Sequence, residues 1–153
     1  MWENVRNVLN EMGREFQFQV REKIVAENAV ATGDLLNSIG FELDEDDDGL
    51  FTLYLTHADY FHYVNENTEP HWPPREPIMR WIEDKPLQPY PDANGKLPTV
   101  EQLTFLVSRK IAEEGTQGHY FFESVLNDLL EKYYPKIVDA IYADIEVELE
   151  GLI

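Results

Sequence analysis

A run of three aspartates and a glycine has the spacing that opens a calcium-binding loop: Asp44, Asp46, Asp48 and Gly49. Such a loop closes with a glutamate that binds the ion through both carboxylate oxygens, and helices flank it. Here Leu55 occupies the closing position, and the flanking residues alternate between apolar and polar side chains as strands do. We therefore expect a solvated turn and no calcium site.

The histidines offer little for metal binding or catalysis. There are four of them, and none has the spacing of a known zinc motif. His57 and His62 enclose Asp59, but residues five apart on a strand point to opposite faces. The chain has no cysteine, so it has neither a thiol nucleophile nor a thiolate ligand. We predict no catalytic residue, no cofactor and no metal, hence no enzyme.

Acidic side chains dominate the composition. The chain has 30 Asp and Glu against 12 Lys and Arg, a formal net charge of -18. This charge disfavours binding to a phosphate backbone, which depends on Lys and Arg contacts. With so many carboxylates, neighbouring pairs are unavoidable and do not indicate a glycosidase. Three explanations stay open: mimicry of a nucleic acid, the lining of a conduit for DNA, or a plain solvated surface.

Length and hydropathy indicate one soluble domain. A chain of 153 residues with 43% hydrophobic content buries one core, so we expect a single domain over residues 1–153. The absence of cysteine suits a reducing cytoplasm. Charged residues interrupt the first 13 positions, and no later segment is apolar enough to span a membrane, so a soluble compartment is expected.

Apolar residues recur three or four apart at both ends of the chain, which predicts two long amphipathic helices. The first covers residues 2–24, with Gly13 as a weak point or bend. The last covers residues 120–149, with Phe122, Leu126, Leu129 and Tyr133 in register. Pro135 lacks an N–H donor, so we expect it to begin a new helix or to kink this one.

Between these helices the pattern changes to that of a hairpin. Thr32 or Asp34 caps a short turn over residues 35–39. Residues 38–43 and 50–56 alternate apolar and polar side chains, which predicts two antiparallel strands with an acidic tip. Residues 59–65 fit a third strand or a short helix. The predicted class is α+β, a small antiparallel sheet flanked by long N-terminal and C-terminal helices.

The second half of the chain is interrupted by prolines. Residues 69–77 form an irregular proline arm, a short helix covers residues 78–83, and residues 87–98 are a loop. Thr99 then caps a helix that ends at Gly115. Its predicted buried stripe consists of Leu103, Leu106, Val107 and Ile111.

Three blocks of sequence carry a family resemblance. They read A-T-G-D-L-L-N-S-I (residues 31–39), A-D-Y-F-H-Y-V-N-E-N-T (58–68) and R-K-I-A-E-E-G-T-Q-G-H-Y-F-F (109–122). In this order, with P-I-M-R-W-I-E-D-K (77–85) between the last two, they resemble the neck and tail-completion proteins of long-tailed bacteriophages. The matching positions are Thr32, Gly33, Leu35, Ser38, Ile39, Tyr60, Tyr63, Val64, Glu66, Thr68, Gly115, Thr116, Phe121 and Phe122.

Two positions depart from that pattern. Asn67 stands where the family has glycine, and Gly118 with His119 replaces a turn that contains proline. After glycine, asparagine best tolerates a left-handed backbone, so we expect Asn67 to keep that option.

The resemblance implies a structural role at the phage head-to-tail junction, in the neck or as a tail completion or terminator protein. It implies a homo-oligomeric ring, of six or twelve copies, made in the bacterial cytoplasm and built into the virion. Its partners would be head-completion or adaptor proteins and tail-tube or terminator proteins, and DNA would pass without specific binding.

Ring closure requires two different patches to meet on adjacent copies. Interfaces favour aromatic residues, so we expect the proline arm to provide one patch, through Trp72, Pro73, Pro74 and Arg75. The alternative, that Trp72 folds back on its own domain, stays open. A functional alternative is an acidic DNA mimic that inhibits a host nucleic-acid enzyme.

Overall fold

Two long helices and a two-stranded sheet form the main body of the protein, with a pair of shorter helices beside it. The computed structural model describes residues 2–27, 33–58, 61, 65–84, 87 and 89–152. Its helices are α1 (Glu3–Ala26), α2 (Gly33–Ser38), α3 (Arg75–Asp84), α4 (Val100–Glu114) and α5 (Phe121–Glu150), and its strands are β1 (Gly40–Glu45) and β2 (Phe51–Thr56). The predicted α+β class is confirmed.

The core lies between α1 and α5. Each helix turns a stripe of apolar residues spaced three or four apart toward the other, and α2 and residue 61 close the core from the side. The buried cluster consists of Met12, Phe16, Val20, Ile24, Leu35, Ile39, Phe61, Phe121, Val125, Leu129 and Tyr133. On α5 the fully buried stripe begins at Phe121, one position before the predicted register, and Phe122 and Leu126 pack at its edge.

The strands form the predicted hairpin, which packs against α1. Gly40 pairs with Thr56 and Glu45 with Phe51, so the strands are antiparallel and in register over their full length. At the tip, the Asp46 carboxylate accepts hydrogen bonds from the backbone N–H of Asp48 and of Leu50. This carboxylate therefore organises the turn.

Gly13 marks the place where the hairpin comes closest to α1. It is buried, and α1 continues through it without interruption. A Cβ atom at this position would lie 2.6 Å from Cγ of Phe41 on β1, well inside van der Waals contact. Glycine is therefore present because the Phe41 ring occupies the space of a side chain, and the expected weak point in the helix is a packing site.

The first turn of α1 is capped by a residue from the far end of the chain. Trp2, at the N-cap position, makes no side-chain capping bond. Instead, buried Asp144 of α5 accepts hydrogen bonds from the backbone N–H groups of Asn4 and Val5, both at 3.0 Å, and from Asn4 Nδ2 at 2.8 Å. Burial would raise the pKa of the Asp144 carboxyl, but these hydrogen bonds outweigh it and hold the pKa below its usual value.

A polar ladder joins α1 and α5 along the edge of the core. Buried Tyr133 shares its hydroxyl proton between Glu15 at 2.6 Å and Glu11 at 3.0 Å. Lys132 pairs with Glu15, and Lys136 pairs with Glu11. Burial raises the pKa of Tyr133, whereas the hydrogen bonds from the two lysines lower the pKa of both glutamates. The ladder thus keeps the tyrosine neutral and the carboxylates charged.

Helices α3 and α4 differ from the predictions in two respects. The irregular arm ends earlier than expected, because α3 begins at Arg75 and contains Pro77 in its first turn, where a missing N–H costs nothing. On α4 the predicted capping by Thr99 and the stop at Gly115 are both confirmed. The predicted buried stripe is wrong at Leu106, which is 53% exposed, and Leu103, Val107 and Ile111 are only partly buried. The buried residues of α4 are Thr104 and Ser108.

Two further expectations concern α5 and the segment before the proline arm. Pro135 lies within α5, which continues from Phe121 to Glu150, so it does not begin a new helix. Of the two proposed caps of α2, Thr32 lies outside the described residues and Asp34 lies within the first turn of the helix, so Asp34 is not its N-cap. Most of residues 59–65 also lie outside the described residues. In the described residues, no helix is long and apolar enough to cross a membrane.

Gly13→Ala tests the contact with Phe41. Helix propensity alone would make alanine stabilising by about 1 kcal/mol. We expect the opposite, a loss of about 1–3 kcal/mol in the free energy of unfolding by urea, because the new methyl group overpacks against the ring.

Two comparisons make this test specific. Gly33→Ala places a Cβ no closer than 3.8 Å to any neighbour, so it should change stability little. In a Phe41→Ala background the clash is absent, and Gly13→Ala should become neutral or stabilising. A stabilising Gly13→Ala in the wild-type background would contradict the packing explanation.

Asp144→Asn should destabilise the protein by about 1–2 kcal/mol at pH 7, because an amide replaces the carboxylate that accepts the α1 N–H groups. Since the pKa of Asp144 is lowered in the folded state, its contribution is complete above the unfolded pKa of about 4 and is lost as pH falls through the folded pKa. The stability difference between wild type and variant should therefore shrink from pH 7 to pH 3. Exposed Asp139→Asn is the control, and an unchanged difference at the two pH values would refute the cap.

Candidate functional site

Two of the motif blocks meet at a short bridge. The backbones of Thr68 and Thr116 exchange hydrogen bonds of 3.0 and 3.1 Å, and their hydroxyl oxygens are 2.6 Å apart. Gly115, with φ of 74°, lies against the carbonyl group of Thr68, where any side chain would collide. These motif positions therefore join the segment before the proline arm to the end of α4.

Asn65 extends this bridge to the start of α5. It is buried, its Oδ1 accepts a hydrogen bond from the N–H of Phe122 at 3.1 Å, and its carbonyl oxygen accepts one from Tyr120 at 2.7 Å. Its Nδ2 also donates to Glu123 at 2.9 Å. Tyr120 itself makes no capping bond and has a left-handed backbone with φ of 51°. Asn65 thus caps α5 as Asp144 caps α1.

The two departures from the family pattern contact each other. Asn67 Oδ1 accepts a hydrogen bond from the N–H of Gly118 at 2.8 Å. Among the described non-glycine residues only Tyr120 has a positive φ, so Asn67 does not adopt the left-handed backbone that asparagine tolerates. A Cβ on Gly118 would lie 2.6 Å from the carbonyl oxygen of Asn65. The hydrogen bond from Gly118 to the Asn67 side chain thus holds the turn that replaces the proline-containing turn of the family pattern.

Most of the remaining motif positions that the structure describes pack in the core or hydrogen-bond to the backbone. Leu35, Ile39 and Phe121 are in the core, and the Phe122 ring meets Phe16 edge to face at 4.9 Å. The Ser38 hydroxyl accepts from the N–H of Ala58 and donates to the carbonyl of Leu35. Gly33 begins α2, and Glu66 is exposed. Thr32, Tyr60, Tyr63 and Val64 lie outside the described residues.

His57, one of the two histidines considered for a metal site, lies beside an aromatic ring and a backbone carbonyl. His57 lies 4.9 Å from Phe61 between ring centroids, and its Nδ1 is 3.0 Å from the Ala58 carbonyl oxygen. Asp59 and His62, its predicted companions, lie outside the described residues. Within the described part of the chain, no three His, Asp or Glu residues are grouped as metal ligands. What the structure does assemble is a set of apolar surfaces.

The first of these surfaces is the arm patch. Trp72 is 58% exposed although its ring lies 5.9 Å from that of Phe105, which is itself 55% exposed. Phe105 and Leu106 continue into a shallow depression beside exposed Tyr90 and Leu97. Trp72 thus contacts its own domain and still presents a large apolar area to solvent. Arg75 lies near the patch, 3.7 Å from Glu101.

The second surface is the proline groove, a cavity of about 340 Å³ between α3, α4 and the proline arm. Pro73 is buried and Pro74 exposed along this groove. Its lining consists of His71, Pro73, Pro74, Pro77, Ile78, Trp81, Val107, Ile111, Thr116, Gln117 and His119. None of these residues is acidic, although about one residue in five of the chain carries a carboxylate.

The third surface, the C-terminal stripe, runs along the second half of α5 and ends in the turn that follows the helix. Its members follow each other at spacings of four, three, four, four and three residues, so they share one helix face. They are Tyr134, Val138, Ile141, Ile145, Leu149 and Leu152. All except partly buried Val138 are exposed, Leu152 most of all. This face is adjacent to the core stripe of α5 and is left uncovered by α1.

The C-terminal stripe was missed in the sequence because the apolar register was followed only as far as Tyr133. The sequence nevertheless contains a pattern that indicates this stripe. The spacing continues beyond Pro135, and residues 137–152 contain five carboxylates and no lysine or arginine. Apolar residues at helical spacing between acidic residues indicate a face that packs on something, and only the structure shows that this is not the chain's own core.

Comparison with known proteins adds no relative. No family model matches the chain, and neither a curated protein nor a solved structure matches it. The resemblance to phage neck and tail-completion proteins therefore depends on the three blocks of sequence. The described positions of those blocks lie in the core and at the joints between helices, and the role at the head-to-tail junction stays a prediction.

Proposed function

We propose that this protein is a structural component of a phage head-to-tail junction that assembles with copies of itself into a ring. The observation that carries the proposal is the presence of separate apolar surfaces on one small chain, the arm patch and proline groove on one part and the C-terminal stripe on another. Large apolar residues exposed in contiguous groups indicate interaction sites. Two different surfaces suit the heterologous contacts that generate rings.

The acidic composition supports the same proposal. At a net charge of -18, the protein repels duplex DNA at physiological ionic strength, since a phosphate backbone attracts cations. A ring whose channel presents carboxylates would let a genome pass without adhering to the wall. The proposed role requires no turnover.

The proposed location is the virion, with assembly in the bacterial cytoplasm. Neighbours on the head side would be completion or adaptor proteins, and those on the tail side would be tube or terminator proteins. This arrangement comes from the sequence resemblance. An acidic inhibitor that mimics DNA would present carboxylates as well, but it would act as a monomer or small dimer.

Size-exclusion chromatography with light scattering, followed by negative-stain imaging, tests the proposal. We expect rings, or tubes of stacked rings, to form from the purified protein as its concentration rises. The assembly should persist at high salt, because apolar contacts rather than exposed ion pairs would hold it together. A protein that stays monomeric over the full accessible concentration range would contradict ring formation and favour the inhibitor.

A further inference from the structure

We infer that the C-terminal stripe of one copy docks into the proline groove of the next copy. The inference rests on the proposed self-assembly and names the two surfaces that perform it. Helix-in-groove contacts of this kind place apolar side chains spaced three or four apart into a preformed apolar channel. The groove volume of about 340 Å³ suits a few such side chains.

Charge determines which surfaces are compatible. Beyond Lys136, which pairs with Glu11, the stripe segment has no cation. Four of its carboxylates are exposed and the fifth, Asp144, is buried, so two stripes packed on each other would bring like charges together. The proline groove has no carboxylate in its lining, and its ionisable members are His71 and His119. Just outside the lining, Lys110 lies 3.9 Å from Glu114, and Glu27 lies 3.8 Å from His119 Nδ1, so each of these two carboxylates already faces a basic group. The groove therefore accepts an acidic helix that the stripe itself repels.

The position of the two surfaces excludes docking within one copy. The groove is lined by Thr116, Gln117 and His119, immediately before α5 begins at Phe121. The stripe covers residues 134–152, which lie about 20–45 Å further along the helix axis. Because α5 is one continuous helix whose far half is held to α1 by Asp144, it cannot fold back. A second copy is the occupant that this geometry allows.

Complementary variants test the docking. Leu149→Ser with Leu152→Ser removes apolar area from the stripe, and Pro74→Glu with Gln117→Glu adds two carboxylates to the groove. All four positions are exposed, so the fold should be retained, as circular dichroism and urea unfolding can verify. By sedimentation velocity, each double variant alone should self-associate at least tenfold more weakly than wild type.

Mixing distinguishes this contact from a symmetric one. A 1:1 mixture of the two double variants contains one intact stripe and one intact groove, so it should form a heterodimer and no larger species. Val147→Ser, on the opposite side of α5, and Asn37→Asp with Asn127→Asp, which adds the same charge elsewhere, should assemble as wild type does. A mixture that stays monomeric, or double variants that assemble normally, would overturn the docking.

The outcomes separate this inference from the proposed function. If wild type forms rings and the double variants do so equally, the ring proposal stands and the docking is wrong. If the mixture gives the heterodimer but wild type forms only open chains, the docking stands and the ring is wrong. Since the native chain has no cysteine, Leu149→Cys and Gln117→Cys can also be joined between copies by a bismaleimide, which maps the contact directly.

Discussion

The cap that Asp144 places on α1 is the constraint on which the arrangement of the long helices depends. Apolar stripes alone allow two helices to slide by a turn, because each stripe repeats every three or four residues. A buried carboxylate that must meet the N–H groups of Asn4 and Val5 permits only one register. The polar ladder around Tyr133, which joins the middle of α1 to α5, forms in the same register of the two helices. With the register set, one face of α5 is covered by α1, and the neighbouring face, which bears the C-terminal stripe, is left open.

Local sequence patterns predicted the helices and strands that pack against the core through one face. Both long helices, the hairpin and the Thr99 cap were read correctly because the relevant periodicity or capping box lies within a few residues. The same reasoning failed on α4, where Leu106 faces solvent and Thr104 and Ser108 are buried. An apolar residue at helical spacing indicates that a face will be covered, but it does not say whether the same chain covers it. The error at Leu106 and the missed stripe on α5 have this common cause.

Long-range features could not be predicted at all. Asn65 and Asp144 act as helix caps from positions 57 and 140 residues away from the N–H groups they bind, so no sequence window contains both partners. Gly13 was read as a flaw in a helix because its partner Phe41 belongs to another element. The interface candidates of the proline arm stay a prediction, and the structure gives them different surroundings. Trp72 is indeed exposed, whereas Pro73 is buried and contributes to the groove wall.

The high negative charge restricts how such a chain can associate. Identical acidic surfaces repel when they face each other across a two-fold axis, and this chain carries a net charge of -18. Contact is easiest where one partner surface lacks carboxylates, and the proline groove is such a surface. An assembly that joins an acidic helix to an acid-free groove is heterologous by construction, so it propagates from copy to copy until it closes or continues as a filament. The negative charge that opposes a symmetric dimer is therefore compatible with the proposed ring. Carboxylates outside the contact would then be free to face the DNA that is proposed to pass.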